Sequence, residues 1–558
     1  MTAFIRATYA SLILAGLFLA CTPANDGQLV LKIYMPESAH ADLRTNPPNT
    51  DGSAPSDITD YRICVYAEDM GSRKCENFNV ADHPGGAKLG GLKPGEDRRV
   101  TFRGYDNESK DVRWAGQVTG VTVAAEATTP ISMFISVASD FTEVGNEMST
   151  RRVFHTATLL DDGRVMLVGG FSDMNHNVLD DHHTLTATSA IEIYNPRTGQ
   201  FDPPGGLSLN RPRALHTATK LDDGKVLIVG GVSSARWMVG FPGGIAPVLN
   251  LSGSAGDLAA STAELIDPSR ASVQDLDLTP TPGRAMHQAL RYSGGEVALL
   301  GGVNPETNTS MREISIFDGV GFYTSDVELA TGREGMASVP FGRNTNLIFG
   351  GNHALGTSSG PYAEVIVDQD GDDPFSRILN LGTEGDPVFY STGAALDDRT
   401  VLICGGMIVD DSYRPGQIQP EIKNKFYIVD LTANQESITA PTAGMVFQRA
   451  FHTATGITNE AGEVSEVVVT GGVTRFDVTI NQWIPTNVVE FFNPETFEFD
   501  RREINNSRVE FNLARAGHRA TPLDDGCILF TGGFTDDQSG LGISASAELY
   551  NPASRDLE

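Results

Sequence analysis

Short apolar runs of four or five residues, rich in Val, Ile, Leu and Phe, recur along the chain between clusters of Gly, Asp, Asn and Pro. Arg164-Val165-Met166-Leu167-Val168 and Lys225-Val226-Leu227-Ile228-Val229 are two examples, and each runs straight into a Gly-Gly doublet. Runs this short, bounded by turn residues and rich in β-branched side chains, predict strands rather than helices. The doublets are Gly169-Gly170, Gly230-Gly231, Gly301-Gly302, Gly350-Gly351, Gly405-Gly406, Gly471-Gly472 and Gly532-Gly533. They lie 61, 71, 49, 55, 66 and 61 residues apart, so the pattern is an internal repeat.

Each doublet carries satellites at fixed distances. Fourteen residues before the first glycine stand His155, His216, His287, Met336, Ser391 and His518, and in the sixth repeat His452 stands nineteen before it. Three residues ahead of these positions come Arg152, Arg213, Arg284, Arg333, Arg449 and Arg515. Asp-Asp-Gly joins the first two strands at 161–163, 222–224 and 524–526. A third strand ends in a turn, as in Glu192-Ile193-Tyr194-Asn195-Pro196 and Glu548-Leu549-Tyr550-Asn551-Pro552. The glycines suit close approach of neighbouring backbones, where a side chain would force strands apart. A histidine repeated at one strand position predicts a packing residue, paired to backbone or to the local arginine. A catalytic site is asymmetric, so repeated residues are poor candidates for one.

This register of doublets, arginines, histidines and Asn-Pro turns resembles the Kelch repeat in its bacterial, galactose-oxidase-like style, over about 420 residues. The resemblance implies an all-β fold, a seven-bladed Kelch-type β-propeller with four antiparallel strands, A to D, in each blade. One such blade cannot cover its own apolar faces, whereas a ring lets every blade bury both. The last repeat stops after its C strand, at Asn551-Pro552. Phe141-Thr142-Glu143-Val144 resembles the missing D strand, so residues 138–148 are expected to complete the seventh blade. Antiparallel order then puts A–B and C–D turns on one face and B–C and D–A connections on the other.

Ahead of the repeats the chain divides into residues 1–20, 21–27 and 28–137. Leu12–Ala20 is a short apolar run behind Arg6, far below the ~20 residues of a spanning helix, and reads as a cleaved signal. Phe18-Leu19-Ala20-Cys21 resembles the lipobox of bacterial lipoproteins, which implies lipidation of Cys21 and a short anchor linker, 21–27. Thr22 stands where that family's inner-membrane retention signal has Asp, so the resemblance implies an outer-membrane or cell-surface protein. Residues 28–137 hold the short runs Leu29–Tyr34, Tyr61–Tyr66, Val100–Gly104 and Ile131–Val137, with Gly/Pro/Asn/Asp between them. This stretch resembles an immunoglobulin-like or prealbumin-like β-sandwich module. Cys64 and Cys75 flank a hairpin tip, so in an oxidising compartment they are expected to form a disulfide, the alternative being two free thiols.

Composition narrows the function. In 558 residues, 59 are glycine and 40% are hydrophobic, which excludes a disordered chain and favours many tight turns. A formal charge of −30 repels phosphate backbones and anionic lipid, so no nucleic-acid partner is expected. The B–C loops at 171–190, 232–262, 407–424, 473–487 and 534–545 are long and irregular, and long loops on a rigid scaffold carry binding chemistry. Arg236, Trp237, Phe241, Tyr413, Arg414, Arg475 and Trp483 are the expected binding face, as exposed aromatics beside arginines suit protein hot spots and sugar stacking. Asp180, Asp181, His182 and His183 form one candidate metal set. Asp368, Asp370 and Asp372, with alternating carboxylates, form another suited to calcium. No cofactor is otherwise expected. The galactose-oxidase likeness raises a copper or other sugar-modifying enzyme as the alternative. That family needs a Tyr-His dipeptide, and none of the thirteen tyrosines here precedes a histidine. The leading expectation is therefore a lipid-anchored, non-enzymatic binder of a protein or glycan at the cell surface.

Overall fold

The computed structural model describes residues 26–34 and 58–552, except 81, 83–86, 107–110, 178–181, 204–205, 239–248, 252–258, 277–281, 293, 308, 343–344, 352–362, 368–374, 379–387, 409–420, 433–436, 460, 478–481, 505–506 and 538–539. Among them the regular structure is β apart from one 3-10 turn, Glu68–Met70.

Every doublet-bearing repeat forms a four-stranded antiparallel sheet. Sheet I pairs Thr156–Leu159, Val165–Val168, Ile191–Asn195 and Gln200–Phe201 in that order. Sheet II pairs Thr217–Lys220, Val226–Val229, Ala263–Asp267 and Ser272–Leu276. Sheets III to VI repeat the order from Gln288, Ala337, Thr392 and Thr453. Sheet VII takes Arg519–Pro522, Ile528–Thr531 and Ala547–Tyr550 from the end of the chain and Phe141–Glu143 from its N-terminal part. The pairing is Tyr550 to Phe141, Leu549 to Thr142 and Glu548 to Glu143. The second strand of each sheet is buried throughout its apolar run, which is why those runs are continuous rather than alternating.

Neighbouring sheets meet through the doublets. The second glycine donates its N–H to the carbonyl of the next repeat's arginine position, from Gly170 to Arg213 through Gly351 to Val388 and on to Gly533 and Arg152, at 2.7–2.9 Å. Sheet VII thus meets sheet I as each sheet meets the next. A Cβ on the first glycine, such as Gly230 or Gly532, would strike that same carbonyl, and both residues have positive φ (66° and 61°).

Residues 27–137 build two further sheets. Gly27–Tyr34 lies between Lys88–Leu92 and Thr128–Phe134 in one of them. The other is five-stranded and centred on Ile58–Tyr66 and Gly95–Asp106. Their apolar faces share one cluster holding Leu31, Ile63, Val100, Phe102, Trp114 and Met133. Cys64 faces Cys75 across an antiparallel pair, and the two are joined by a disulfide. The run Ile131–Val137, expected as one strand, divides at Ile135, whose N–H bonds Tyr34. Phe134 ends a strand of the first sheet and Ser136 begins one of the second.

Candidate functional site

The loops expected to be irregular are largely hairpins. Phe171–Asn177 and His182–Ala187 from repeat I pair onward with Ser234–Met238 and Leu249–Asn250 from repeat II, making an extra four-stranded sheet. Val473–Asp477 pairs with Gln482–Pro485, and Phe534–Asp537 with Gly540–Ile543. Leu541 N–H bonds the Gln482 side chain, joining the last two hairpins. Together they form a crown on the face bearing the second-to-third-strand connections. Among the described residues its exposed side chains are polar, including Asp173, Asn175, Thr186, Arg236 and Arg475.

Beneath the crown the first strands converge on an apolar hub of Val153, Phe171, Ala214, Ala285, Phe389, Ala450, Ala516 and their neighbours. One residue per repeat is left-handed here, just after Val153, Ala214, Ala285, Glu334, Phe389, Ala450 and Ala516: Phe154, Leu215, Met286, Gly335, Tyr390, Phe451 and Gly517 have φ of 54–64°. Six backbone bonds link these residues from sheet to sheet, for example Leu215 N–H to Phe154 O (3.2 Å) and Phe154 N–H to Gly517 O (3.2 Å). The rings of Tyr390 and Phe451 stack with centroids 4.1 Å apart, and Phe154 lies 5.6 Å from Phe451. Glu334 takes the position that Val, Ala or Phe holds in the other repeats, and it is 4% exposed.

The five repeated histidines are buried between sheets. The Nε2 of His216 lies 3.0 Å from the Thr156 hydroxyl of sheet I, His287 2.9 Å from Thr217, and His155 2.8 Å from Thr531 of sheet VII. His518 approaches Thr453 and Thr470, and His452 lies 3.5 Å from the Cys404 thiol. Their partner is therefore a group across the sheet boundary, not backbone or the local arginine. Burial first, and the neighbouring arginines second, hold the imidazoles well below their ordinary pKa, so they are neutral.

The arginines bind glutamates that open the third strand. Arg152 meets Glu192 at 2.5 Å, Arg213 meets Glu264 at 2.6 Å, and Arg333 meets Glu364 at 2.8 Å; Arg449–Glu490 and Arg515–Glu548 repeat the pair. Sheet III departs, with Arg284 bonding the Ser315 hydroxyl (2.7 Å) and burial lowering its pKa to about 10. A repeated Glu three residues before Asn-Pro or Asp-Pro was the available signal for four of these partners, Glu364 being the exception.

Of the expected binding-face residues, Arg236, Trp237, Arg475 and Trp483 are among the described residues. Arg236 and Arg475 are exposed on the crown. Trp483, expected exposed, is 3% exposed because its hairpin folds it into the hub cluster. Trp237 takes a strand position opposite His183 and Leu249. Phe241, Tyr413 and Arg414 lie outside the described residues, as do Asp180, Asp181, Asp368, Asp370 and Asp372. His182 and His183 begin a strand, and His183 is buried at 9%. Among the described residues no group of three His, Cys, Asp or Glu is placed to hold a metal.

Among the described residues no copper-radical set is brought together. The five repeated histidines are distributed singly around the sheet boundaries and their Nε2 atoms are engaged. Cys404 lies in a cluster without tyrosine, its thiol pushed up to about 12 by burial. Cys527 does pack near Tyr194, but on the opposite, turn-bearing face. That face also carries an open recess of about 480 Å³ lined by Phe341, Asp398 and Glu463.

No protein-family model matches the sequence, and no curated protein matches it. Among solved structures the chain is similar to a novel fungal alcohol oxidase of the AA5 family in complex with copper. The identity is 12%, over 73% of this chain and 75% of that one, with a TM-score of 0.49. It is also similar to YjhT, at 12% identity over 66% of this chain and 99% of that one, with a TM-score of 0.40.

Proposed function

We propose that this chain is a lipid-anchored, extracytoplasmic binding protein of the bacterial cell surface. In this reading the seven sheets are the blades of a closed Kelch-type β-propeller, and residues 28–137 are a small β-sandwich. The cyclic order of the glycine-to-arginine hydrogen bonds supports the propeller. The lipobox-like Phe18–Cys21 supports the anchor, with the membrane reached through a lipid on Cys21. The partner is a protein or glycan met by the crown.

One observation carries the binding reading. The repeated groups able to do chemistry are spent on the scaffold, histidines on threonines and arginines on glutamates, whereas the crown is elaborated, polar and confined to one face. Scaffold rigidity with variable loops is the usual basis of recognition on such folds.

The test is a glycan array and an envelope-protein capture with the purified chain, beside the Arg236→Glu/Arg475→Glu double variant. The expected result is a specific ligand retained by the native crown and lost by the variant. Stoichiometric copper together with peroxide release from sugar alcohols would overturn the binding reading.

A further inference from the structure

The two-sheet N-terminal module is built into the turn-bearing face of the seven sheets. Phe134, at the end of the Thr128–Phe134 strand, is buried among Val165, Leu167, Tyr194, Phe201 and Leu523 of sheets I and VII. Gly199, in the turn between the last two strands of sheet I, lies against its ring so closely that a Cβ there would overlap the ring. Polar groups reinforce the contact. Asn551 donates to Ser136 Oγ (2.9 Å) and to Ala115 O (3.2 Å), and its carbonyl accepts from Ser139 N (2.7 Å).

The covalent path adds to this. Ser136–Val137 pairs with the module's Trp114 strand, and Phe141–Glu143 pairs with Tyr550 in sheet VII. Only three residues, 138–140, lie between, and each is bonded: Ala138 N–H to Arg113 O (3.1 Å), Ser139 N–H to Asn551 O, and Asp140 O from Asn551 N–H (3.4 Å). A flexible linker has free backbone groups and spare length, and this joint has neither.

Strand direction then fixes which way the assembly points. Gly27–Tyr34 runs parallel to Thr128–Phe134, with Gln28 beside Thr128 and Tyr34 beside Phe134 at the joint. Seven strand steps therefore put Gly27 about 23 Å from the joint, at the module's far end. The crown lies beyond the seven sheets, on the other side of the joint. Cys21 precedes Gly27 by six residues, a reach of about 20 Å at most.

We propose that the module is a fixed stand, which turns the crown away from the surface holding Cys21, so the crown meets a partner in the aqueous phase and not the anchoring bilayer. This rests on the anchored reading for what the stand points away from, but the stand itself is independent of it. Spin labels at Ala125→Cys, in the module's far turn, and Asn175→Cys, on the crown, read the stand in the full chain. One narrow distance distribution is expected; a broad or multiple one overturns the proposal. Phe134→Ala and, as a milder change, Asn551→Ala should each broaden it, and an unchanged width in both would show that the joint is not what holds the module. On liposomes, a headgroup quencher should dim a dye at Ala125→Cys and spare one at Asn175→Cys; equal quenching overturns the orientation. Radiolabelled palmitate incorporation, lost in Cys21→Ser, reads the anchor separately, so its failure is distinguishable from failure of the stand.

Discussion

The buried Arg–Glu pair is the costliest repeated feature at the residue scale. Arg213 and Glu264 are both fully buried, and Glu264 also accepts the N–H of Asn210 (2.7 Å), so the carboxylate ties the end of one strand connection to the arginine. Removing one member leaves the other charge unpaired away from water. Glu264→Ala is therefore expected to lose about 3–5 kcal/mol in urea unfolding, whereas Ser315→Ala, which removes only the hydroxyl bonded to Arg284, should lose about 1 kcal/mol. A second residue-scale outcome concerns Asp525. Burial, with Asp524 adding repulsion, raises its carboxyl to about 6, beside the Cys527 thiol. A carboxyl raised on folding binds its proton more tightly in the folded state. Its stabilising contribution is full below about pH 4 and is lost as pH rises through about 6. Asp525→Asn should therefore gain on the native protein in melting temperature from pH 4 to pH 7; parallel melting curves across that range would refute this. The arginines and glutamates were both visible as repeated letters, but their pairing was not, since about forty residues separate Arg152 from Glu192. The left-handed hub position was harder still. Phe154, Leu215, Met286, Tyr390 and Phe451 carry no sign of positive φ, and only Gly335 and Gly517 hint at it.

Among elements, the Phe141–Glu143 strand deserves its weight from what surrounds it. Phe141 meets Phe511 at 4.8 Å, Tyr550 at 5.1 Å and Phe530 at 5.6 Å, so one side chain knits the N-terminal segment into sheet VII and its neighbour. Phe141→Ala is expected to cost about 3–5 kcal/mol and to expose the Ala547–Tyr550 amides to hydrogen exchange before those of sheets III and IV. Protection that falls evenly in all sheets would argue against this strand as the weak closure. The Phe-Thr-Glu pattern ahead of Arg152 is readable because it matches the segment that precedes the first strand in other repeats, such as Phe201 ahead of Arg213. The crown hairpins were not readable. Asp173, Asn175, Thr184 and Thr186 read as loop by composition, and they become strand because they pair across a hairpin, Asp173 with Thr186 and Asn175 with Thr184, to which the repeat II segment Ser234–Met238 adds a third strand. Trp483 fails for the same reason: a tryptophan in a polar loop looks exposed until its hairpin is folded onto the hub.

For the whole molecule, cyclic contact makes a distinctive energetic statement. In a linear stack the end units have one neighbour, so a contact at the chain's two ends matters less than one in the middle. Here Gly532 stands to the Arg152 carbonyl as Gly230 stands to that of Arg284, with the same left-handed φ and the same lack of room for a Cβ. Alanine at either site incurs about 1–2 kcal/mol from backbone conformation alone, before any displacement of the facing strand. Gly532→Ala and Gly230→Ala should accordingly destabilise by similar amounts and leave a single unfolding transition. Sequence spacing makes the two glycines look alike, yet it says nothing of whether residues 380 positions apart touch. A Gly532→Ala variant as stable as the native chain, beside a damaged Gly230→Ala, would mean that sheets VII and I bear no load on each other. The proposed closed propeller would then be an open array.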